Sequence, residues 1–123
     1  MATDQLVIDT DVPVLDQSRL LDEFGDAPEI LRELRDLFIQ HLPPLLDDIQ
    51  SAFQAGDCDA LSKNAHSLKG AASTYGAQRL FMICKSIEHL ARDGELEATR
   101  ELVSMLIGEM NHLTSAVNDL TKT

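Results

Sequence analysis

The chain has 123 residues, of which 44% are hydrophobic and 4% aromatic, and its 10 basic and 21 acidic side chains give a formal net charge of −11. This length predicts one domain with a core of its own. The excess of negative charge repels nucleic-acid phosphates and anionic membrane surfaces, which argues against DNA, RNA or lipid as partners.

Composition also bears on fold class and location. Leu, Ala, Glu, Asp and Gln abound, and alternating runs of Val, Ile and Thr are missing, which favours helices over strands. Cys58 and Cys84 form no C-x-x-C motif, so neither a zinc site nor a redox pair is predicted. No apolar run approaches the roughly 20 residues of a membrane span, and no signal-peptide pattern opens the chain, so we expect a cytoplasmic protein.

The N-terminal region predicts a short preliminary helix. Residues 1–12 are acidic and non-periodic, and we interpret them as a flexible lead-in to a domain over residues 13–123. The short helix that follows is predicted to end at Gly25. Its inward side chains are Val14, Leu15, Leu20, Leu21 and Phe24.

A long helix is predicted to start at the sequence Asp26-Ala27-Pro28-Glu29 and to end at Gly56. Asp26 is its predicted N-cap, with a proline in the first turn and Glu29 completing a capping box. Pro43-Pro44 predicts a kink. The apolar residues at spacings of three and four are Ile30, Leu31, Leu34, Leu37, Phe38, Leu42, Leu45, Leu46, Ile49 and Phe53.

Three further helices are predicted over residues 57–75, 77–93 and 95–120, with Asp57 as an N-cap and Gly76 and Gly94 as stops. The apolar stripes of the last two are Leu80, Ile83, Cys84, Ile87, Leu90 and Ala91, and then Leu102, Val103, Leu106, Met110, Leu113, Val117 and Leu120. Four amphipathic helices with short links predict an all-α, antiparallel four-helix bundle with a short extra N-terminal helix.

The helix over residues 57–75 places a histidine on its solvent side. At roughly 100° per residue, His66 lies about 150° from the centre of the apolar face. That face contains Leu61, Ala65, Leu68, Ala72 and Tyr75. The outer face around His66 also contains Ser62, Lys63, Lys69, Gly70 and Ser73, which makes a polar, basic strip.

Gly70 and Lys69 are both predicted to serve His66. Glycine inside a helix costs about 1 kcal/mol relative to alanine, so its presence needs a reason. Helical side chains lean toward the N-terminus, so a side chain at position 70 would cover His66, and glycine leaves the imidazole open to another protein. By the same lean, Lys69 reaches the level of His66 and is a predicted charge partner for a bound anion.

The charge pattern marks the same stretch of chain. Between Asp59 and Glu88 there is no acid but there are four bases, whereas the rest of the chain has six bases and 21 acids. We interpret this window as a docking surface. The predicted partner contacts are Ser62, Lys63, Ser73, Arg79 and Lys85, with ordinary solvated polarity as the alternative.

The sequence Ala65-His66-Ser67-Leu68-Lys69-Gly70-Ala71-Ala72, followed by Tyr75-Gly76-Ala77, resembles the signature of histidine-containing phosphotransfer (HPt) domains. The resemblance extends over about residues 27–115, including the Gly56-Asp57 turn. Ala71 and Ala72 stand where family members often have serine, but both are small. The resemblance implies the helical-bundle fold and a carrier in a multistep phosphorelay.

In detail, the resemblance implies that His66 accepts a phosphoryl group from a receiver-domain aspartate and passes it to another receiver. The expected partners are receiver domains of response regulators and a hybrid sensor histidine kinase. The receiver is expected to bring an acidic pocket and Mg²⁺, so this chain needs no cofactor or metal. We expect a monomeric carrier without kinase activity of its own.

Other interpretations are weaker. A helical adaptor that is never phosphorylated is the main rival, and an intact His66 counts against it. A histidine-kinase dimerisation domain would require a two-helix hairpin continuing into an ATP-binding domain. Glu109 and His112 have the E-x-x-H spacing of di-iron bundles but lack a second copy, so His112 is predicted to be a surface residue. The starting Met and acidic lead-in favour a free-standing protein over a segment of a hybrid kinase.

Overall fold

The computed structural model describes Asp16, Asp22, Gly25 and residues 27–120, with the side chain of Leu120 excepted. This part of the chain forms four α-helices and no strand: α1 (Pro28–Gln54), α2 (Cys58–Thr74), α3 (Gln78–Arg92) and α4 (Leu96–Leu120). The predicted all-α fold is confirmed. The lead-in over 1–12 and the inward residues of the short N-terminal helix lie outside the described residues, as does the side chain of Leu120.

The helix boundaries follow the predicted stop and cap signals. Gly56, Gly76 and Gly94 have φ values of +69°, +70° and +78°, the left-handed conformation that glycine adopts without strain after a helix. Asp57 caps α2, because its Oδ1 accepts a hydrogen bond of 3.0 Å from the Ala60 amide.

The start of α1 differs from the prediction by one residue. Its N-cap is Ala27, which makes no side-chain hydrogen bond to the first turn, and the predicted cap residue Asp26 lies outside the described residues. Pro28 in the first helical position sets the start instead, since its fixed φ suits a helix and no amide is lost there. α1 also continues through Pro43 and Pro44 without a break, and the predicted kink stays a prediction.

The core is built from the apolar stripes of all four helices. Phe38 of α1 meets Tyr75 edge to face, with ring centroids 5.4 Å apart. Ile30 and Leu37, predicted to face inward, are exposed. At 100° per residue they lie roughly 80–100° from the centre of the buried stripe, so they belong to its edge.

The helices contact one another in a closed ring in which α1 packs against α2 and α4, and α3 packs against α2 and α4. None of the four helices in the described part is long and apolar enough to cross a membrane. At the α2–α3 turn, the Asp16 amide donates to the Gly76 carbonyl at 2.7 Å and its carboxylate accepts from Gln78. His66 lies on α2, the helix that packs against α3.

Candidate functional site

His66 stands on the outer face of α2, where 66% of its side chain is exposed. The neighbouring positions Ala65 and Leu68 are fully buried and fix the rotation of the helix. The helical wheel therefore placed this imidazole correctly, and a reaction partner has direct access to it.

One ring nitrogen of His66 is engaged by a carboxylate from the next helix. His66 Nδ1 lies 2.9 Å from Oε2 of Glu88, a residue of α3 whose side chain is only 8% exposed. A deprotonated carboxylate accepts hydrogen bonds and donates none, so this contact assigns the proton of the neutral ring to Nδ1. The lone pair of the neutral ring then lies on Nε2.

Two cations complete what we call the Glu88 cluster, which comprises His66, Lys69, Glu88 and Arg92. Lys69 Nζ lies 2.7 Å from Glu88 Oε1, and Arg92 Nη2 lies 2.7 Å from Glu88 Oε2, the same oxygen that His66 contacts. The Lys69 side chain is 23% exposed and the Arg92 side chain 61%. Lys69 is thus held under the surface and Arg92 lies on it.

The electrostatics keep this carboxylate ionised. Removal from water by itself would raise the pKa of Glu88, but hydrogen bonds from Lys69 and His66 and the positive charge of Lys69 outweigh it, so the pKa lies below its usual 4.5. With a neutral imidazole, the two cations exceed the one carboxylate by a single positive charge. The cluster therefore presents an exposed imidazole beside a net positive charge.

Cys84 lies four residues before Glu88 on α3 and is fully buried. Burial raises the pKa of its thiol well above the usual value, and the charge of Glu88 raises it further while Lys69 opposes the change. A buried thiol of this kind stays protonated and packs as a small apolar side chain.

An open groove runs beside His66 between α2, the end of α3 and the turn at Gly94. Its lining includes much of the Glu88 cluster and the first turns of α2. The lining residues are Cys58, Asp59, Ser62, Lys63, His66, Ser67, Glu88, Ala91, Arg92 and Gly94. His66 therefore lies in a concave surface that a folded partner or its loops can enter.

Gly70 is exposed on α2, one turn after His66. A Cβ atom placed at this glycine meets nothing within 4 Å in the described structure. Local packing therefore does not require a glycine here. The predicted role as an access device is compatible with this open space and stays a prediction.

The structure gathers some of the predicted partner contacts around His66 and leaves others apart. Ser62 and Lys63 line the groove, where Ser62 Oγ donates to the Glu88 carbonyl at 3.4 Å and Lys63 pairs with Asp59 at 3.1 Å. Ser73 lines a separate small cavity near Gly76. Lys85 is exposed on α3 but outside the groove lining.

Arg79 is not brought to the groove at all. Its Nη2 lies 3.1 Å from Glu109 Oε1, and these side chains are 22% and 4% exposed, so the pair joins α3 to α4. The grouping of Arg79 with the basic surface around His66 is therefore not supported by its position. An arginine opposite a buried acid is held inside the bundle.

Comparison with known proteins decides the family. The Hpt domain family matches this chain over residues 33–121, which is most of its length. The chain belongs to the Hpt domain family. The HPt resemblance in the sequence is thereby confirmed, and so is the predicted class of function, histidine phosphotransfer in two-component phosphorelays.

Individual relatives agree with this Hpt assignment. Histidine-containing phosphotransfer protein B (HptB) of Pseudomonas aeruginosa PAO1 superposes with a TM-score of 0.77 at 33% identity, covering 87% of this chain and 93% of that one. Multistep phosphorelay regulator 1 of Schizosaccharomyces pombe is 26% identical over 97% of this chain. Sensor protein TorS of Escherichia coli K12 is 31% identical over 63% of it. The chain spans 42% and 9% of the lengths of these two curated relatives.

Sequence reasoning missed two residues of this Hpt site, Glu88 and Arg92. The interpretation of an acid-free window ending before Glu88 was misleading, because the acid that closes the window in sequence contacts His66 in space. A signal was present, since Glu88 lies four residues after Cys84 and three before Ala91, which places a carboxylate in an apolar stripe. An acid in that position requires a buried cation or another hydrogen-bond donor.

Proposed function

We propose that this Hpt domain carries a phosphoryl group on Nε2 of His66, taking it from the aspartyl phosphate of one receiver domain and giving it to the aspartate of another. The hydrogen bond between His66 Nδ1 and Glu88 on an exposed imidazole supports this assignment best. It fixes the neutral tautomer in which Nε2 points away from the bundle as a nucleophile.

The bond changes balance without a further reactant. The Nε2 lone pair forms the N–P bond while the P–O bond to the donor aspartate breaks, and that aspartate leaves as a carboxylate. The imidazole keeps its Nδ1 proton and becomes a positively charged ring, whose charge Glu88 offsets at 2.9 Å. On onward transfer the N–P bond breaks and the ring leaves as neutral imidazole, a far better leaving group than an imidazolate.

The rest of the cluster suits a transfer that depends on positioning and charge neutralisation. Lys69 is the proposed charge partner of the site, acting on Glu88 and the field around His66, and Gly70 is proposed to leave room for the receiver's active-site loops. We propose that Ser62 and Lys63, which line the groove, contact that partner.

The wider setting is proposed on the same basis. We propose that this chain is a monomeric, cytoplasmic carrier without kinase activity, and that its partners are receiver domains and a hybrid sensor histidine kinase. No cofactor is proposed for the chain itself, and Mg²⁺ is expected to arrive with the receiver. Neither nucleic acid nor membrane is a proposed partner, because the chain carries a net charge of −11.

Labelling from a phosphorylated receiver domain tests the assignment. We expect the ³²P-labelled receiver to transfer its label to this protein in a linkage stable to alkali and lost in acid. His66→Gln should abolish the labelling, whereas His89→Gln, which alters another exposed histidine one residue from Glu88, should keep it. Equal labelling of the His66→Gln variant would overturn the proposal.

A further inference from the structure

We infer that Arg92 is a phosphoryl-binding residue of this site, whose guanidinium moves from Glu88 to the phosphoryl group on His66 while Lys69 stays with Glu88. The inference deepens the proposed function and rests on phosphorylation of His66. It assigns a role to Arg92, which lies outside the sequence motif, and distinguishes that role from the role of Lys69, which belongs to the motif.

Arg92 is already beside the imidazole. Its Nη2 and His66 Nδ1 contact the same oxygen of Glu88, at 2.7 and 2.9 Å, and both side chains line the same open groove. The guanidinium is therefore linked to the ring through one shared oxygen, and we infer that its flexible side chain turns toward a group attached to Nε2.

The two cations differ in their freedom to move. Lys69 is largely covered and holds the buried oxygen Oε1, whereas Arg92 is mostly exposed and shares Oε2 with His66. Arg92 forms one hydrogen bond, through Nη2, and within the described residues its other N–H groups have no partner. It therefore has donors available for a new anion.

Releasing Arg92 from Glu88 also costs less free energy than releasing Lys69. If Arg92 leaves, the carboxylate keeps Lys69 on one oxygen and the His66 ring on the other. If Lys69 leaves, the buried Oε1 has no partner in the described structure, and an unsatisfied buried charged group is strongly destabilising. The exposed arginine is the cation that the site can spare.

A phosphoryl group also suits a guanidinium better than an ammonium. It brings a charge of about −1.5 to −2 near pH 7, which exceeds the one positive charge that the His66 ring gains on phosphorylation. The planar fork of arginine donates two parallel hydrogen bonds to phosphate oxygens, whereas a lysine acts as a single point charge. A single side chain, Arg92, would thus both bind the phosphoryl group through hydrogen bonds and offset part of its negative charge.

The phosphotransfer equilibrium between a labelled receiver and His66 provides the test. We expect Arg92→Ala to shift this equilibrium roughly tenfold toward the receiver, the size of one charge-assisted hydrogen bond, and Arg92→Lys to recover part of the loss. Arg100→Ala, which alters an exposed arginine paired with Glu97 on α4, should leave it unchanged. An unchanged equilibrium in Arg92→Ala would overturn the inference.

The same measurement in a Glu88→Gln variant shows whether Arg92 contacts the phosphoryl group directly or acts through Glu88. In Glu88→Gln, an amide oxygen can still accept from His66, but the carboxylate that pairs with Arg92 is gone. If Arg92 contacts the phosphoryl group, Arg92→Ala shifts the equilibrium in this background as well, and loss of the effect there would contradict our inference. A wild-type protein that takes no label at all would instead contradict the proposed function itself.

Discussion

The α2–α3 and α3–α4 interfaces each contain a buried glutamate paired with cations, yet the two differ in what surrounds the acid. Glu88 has both oxygens occupied by Lys69, His66 and Arg92, and two of these partners are exposed in an open groove. Glu109 is paired through one oxygen with Arg79, while its Oε2 and the Arg79 Nε are buried without a partner in the described structure.

This difference separates the proposed reaction site from a structural ion pair. A buried carboxylate becomes chemically useful when it holds a group that solvent and partners can reach, and Glu88 holds an exposed imidazole. Glu109 holds a group that is itself enclosed, so its charge acts within the bundle. Both acids are buried, and they differ in the number of their partners and in the exposure of those partners.

The largest effect that we expect concerns the enclosed pair. Arg79→Ala leaves Glu109 as an uncompensated charge between α3 and α4, and breaking a buried pair in this way typically costs about 3–5 kcal/mol of stability. Urea unfolding should show a loss near the lower end of that range. Labelling of His66, measured at equal folded fraction, should be unchanged.

Removal of both charges provides the control for this prediction. In Arg79→Met combined with Glu109→Leu, no charge is left unpaired, and most of the stability should return. A double variant as unstable as Arg79→Ala alone would contradict this account of the α3–α4 pair. If folded Arg79→Ala protein lost His66 labelling, the α3–α4 pair would also contribute to phosphotransfer, which contradicts the distinction between the two interfaces.

The next effect concerns Glu88. Glu88→Leu removes the acceptor for His66 Nδ1, so the ring loses its fixed tautomer and orientation. Partners that orient histidines in the same way at metal sites typically contribute 10- to 100-fold. We expect single-turnover labelling from a phosphorylated receiver to slow by about that factor. Glu88→Gln, which keeps an acceptor oxygen, should retain the greater part of the rate.

Circular dichroism of the same variants shows whether a slower labelling rate comes from the site or from loss of folded protein. Both substitutions should leave the helix content intact by circular dichroism, and Glu101→Leu, which alters an exposed acid on α4, should affect neither rate nor fold. Equal rates for Glu88→Leu and the wild type would mean that Glu88 does not prepare the nucleophile.

The predictable parts of this molecule are local in sequence. Asp57 and the glycines at 56, 76 and 94 carry their own cap and turn chemistry, so the helix limits followed to within a residue or two. The exposure of His66 followed from the period of one helix. Each of these features depends on neighbours within a few residues.

The contacts of the Glu88 cluster depend instead on how α3 lies against α2. Glu88 is 22 residues from His66, and no local pattern gives the relative rotation of two helices. The same limitation explains Arg79, which the charge window grouped with Lys63 although it turns toward α4. A count of charges along the chain does not distinguish the two faces of α3.

The smallest expected effect comes from substituting two exposed glycines inside helices, one on α2 near His66 and one on α4. At both Gly70 of α2 and Gly108 of α4, an added Cβ atom would have no neighbour within 4 Å in the described structure, so the surroundings exclude a Cβ atom at neither position. Leucine should raise helix stability at both, by up to about 1 kcal/mol. In the labelling assay, Gly70→Leu should slow transfer several-fold because its side chain leans over His66, whereas Gly108→Leu should not. Equal labelling rates in Gly70→Leu and Gly108→Leu would show that the partner does not need the open space at Gly70.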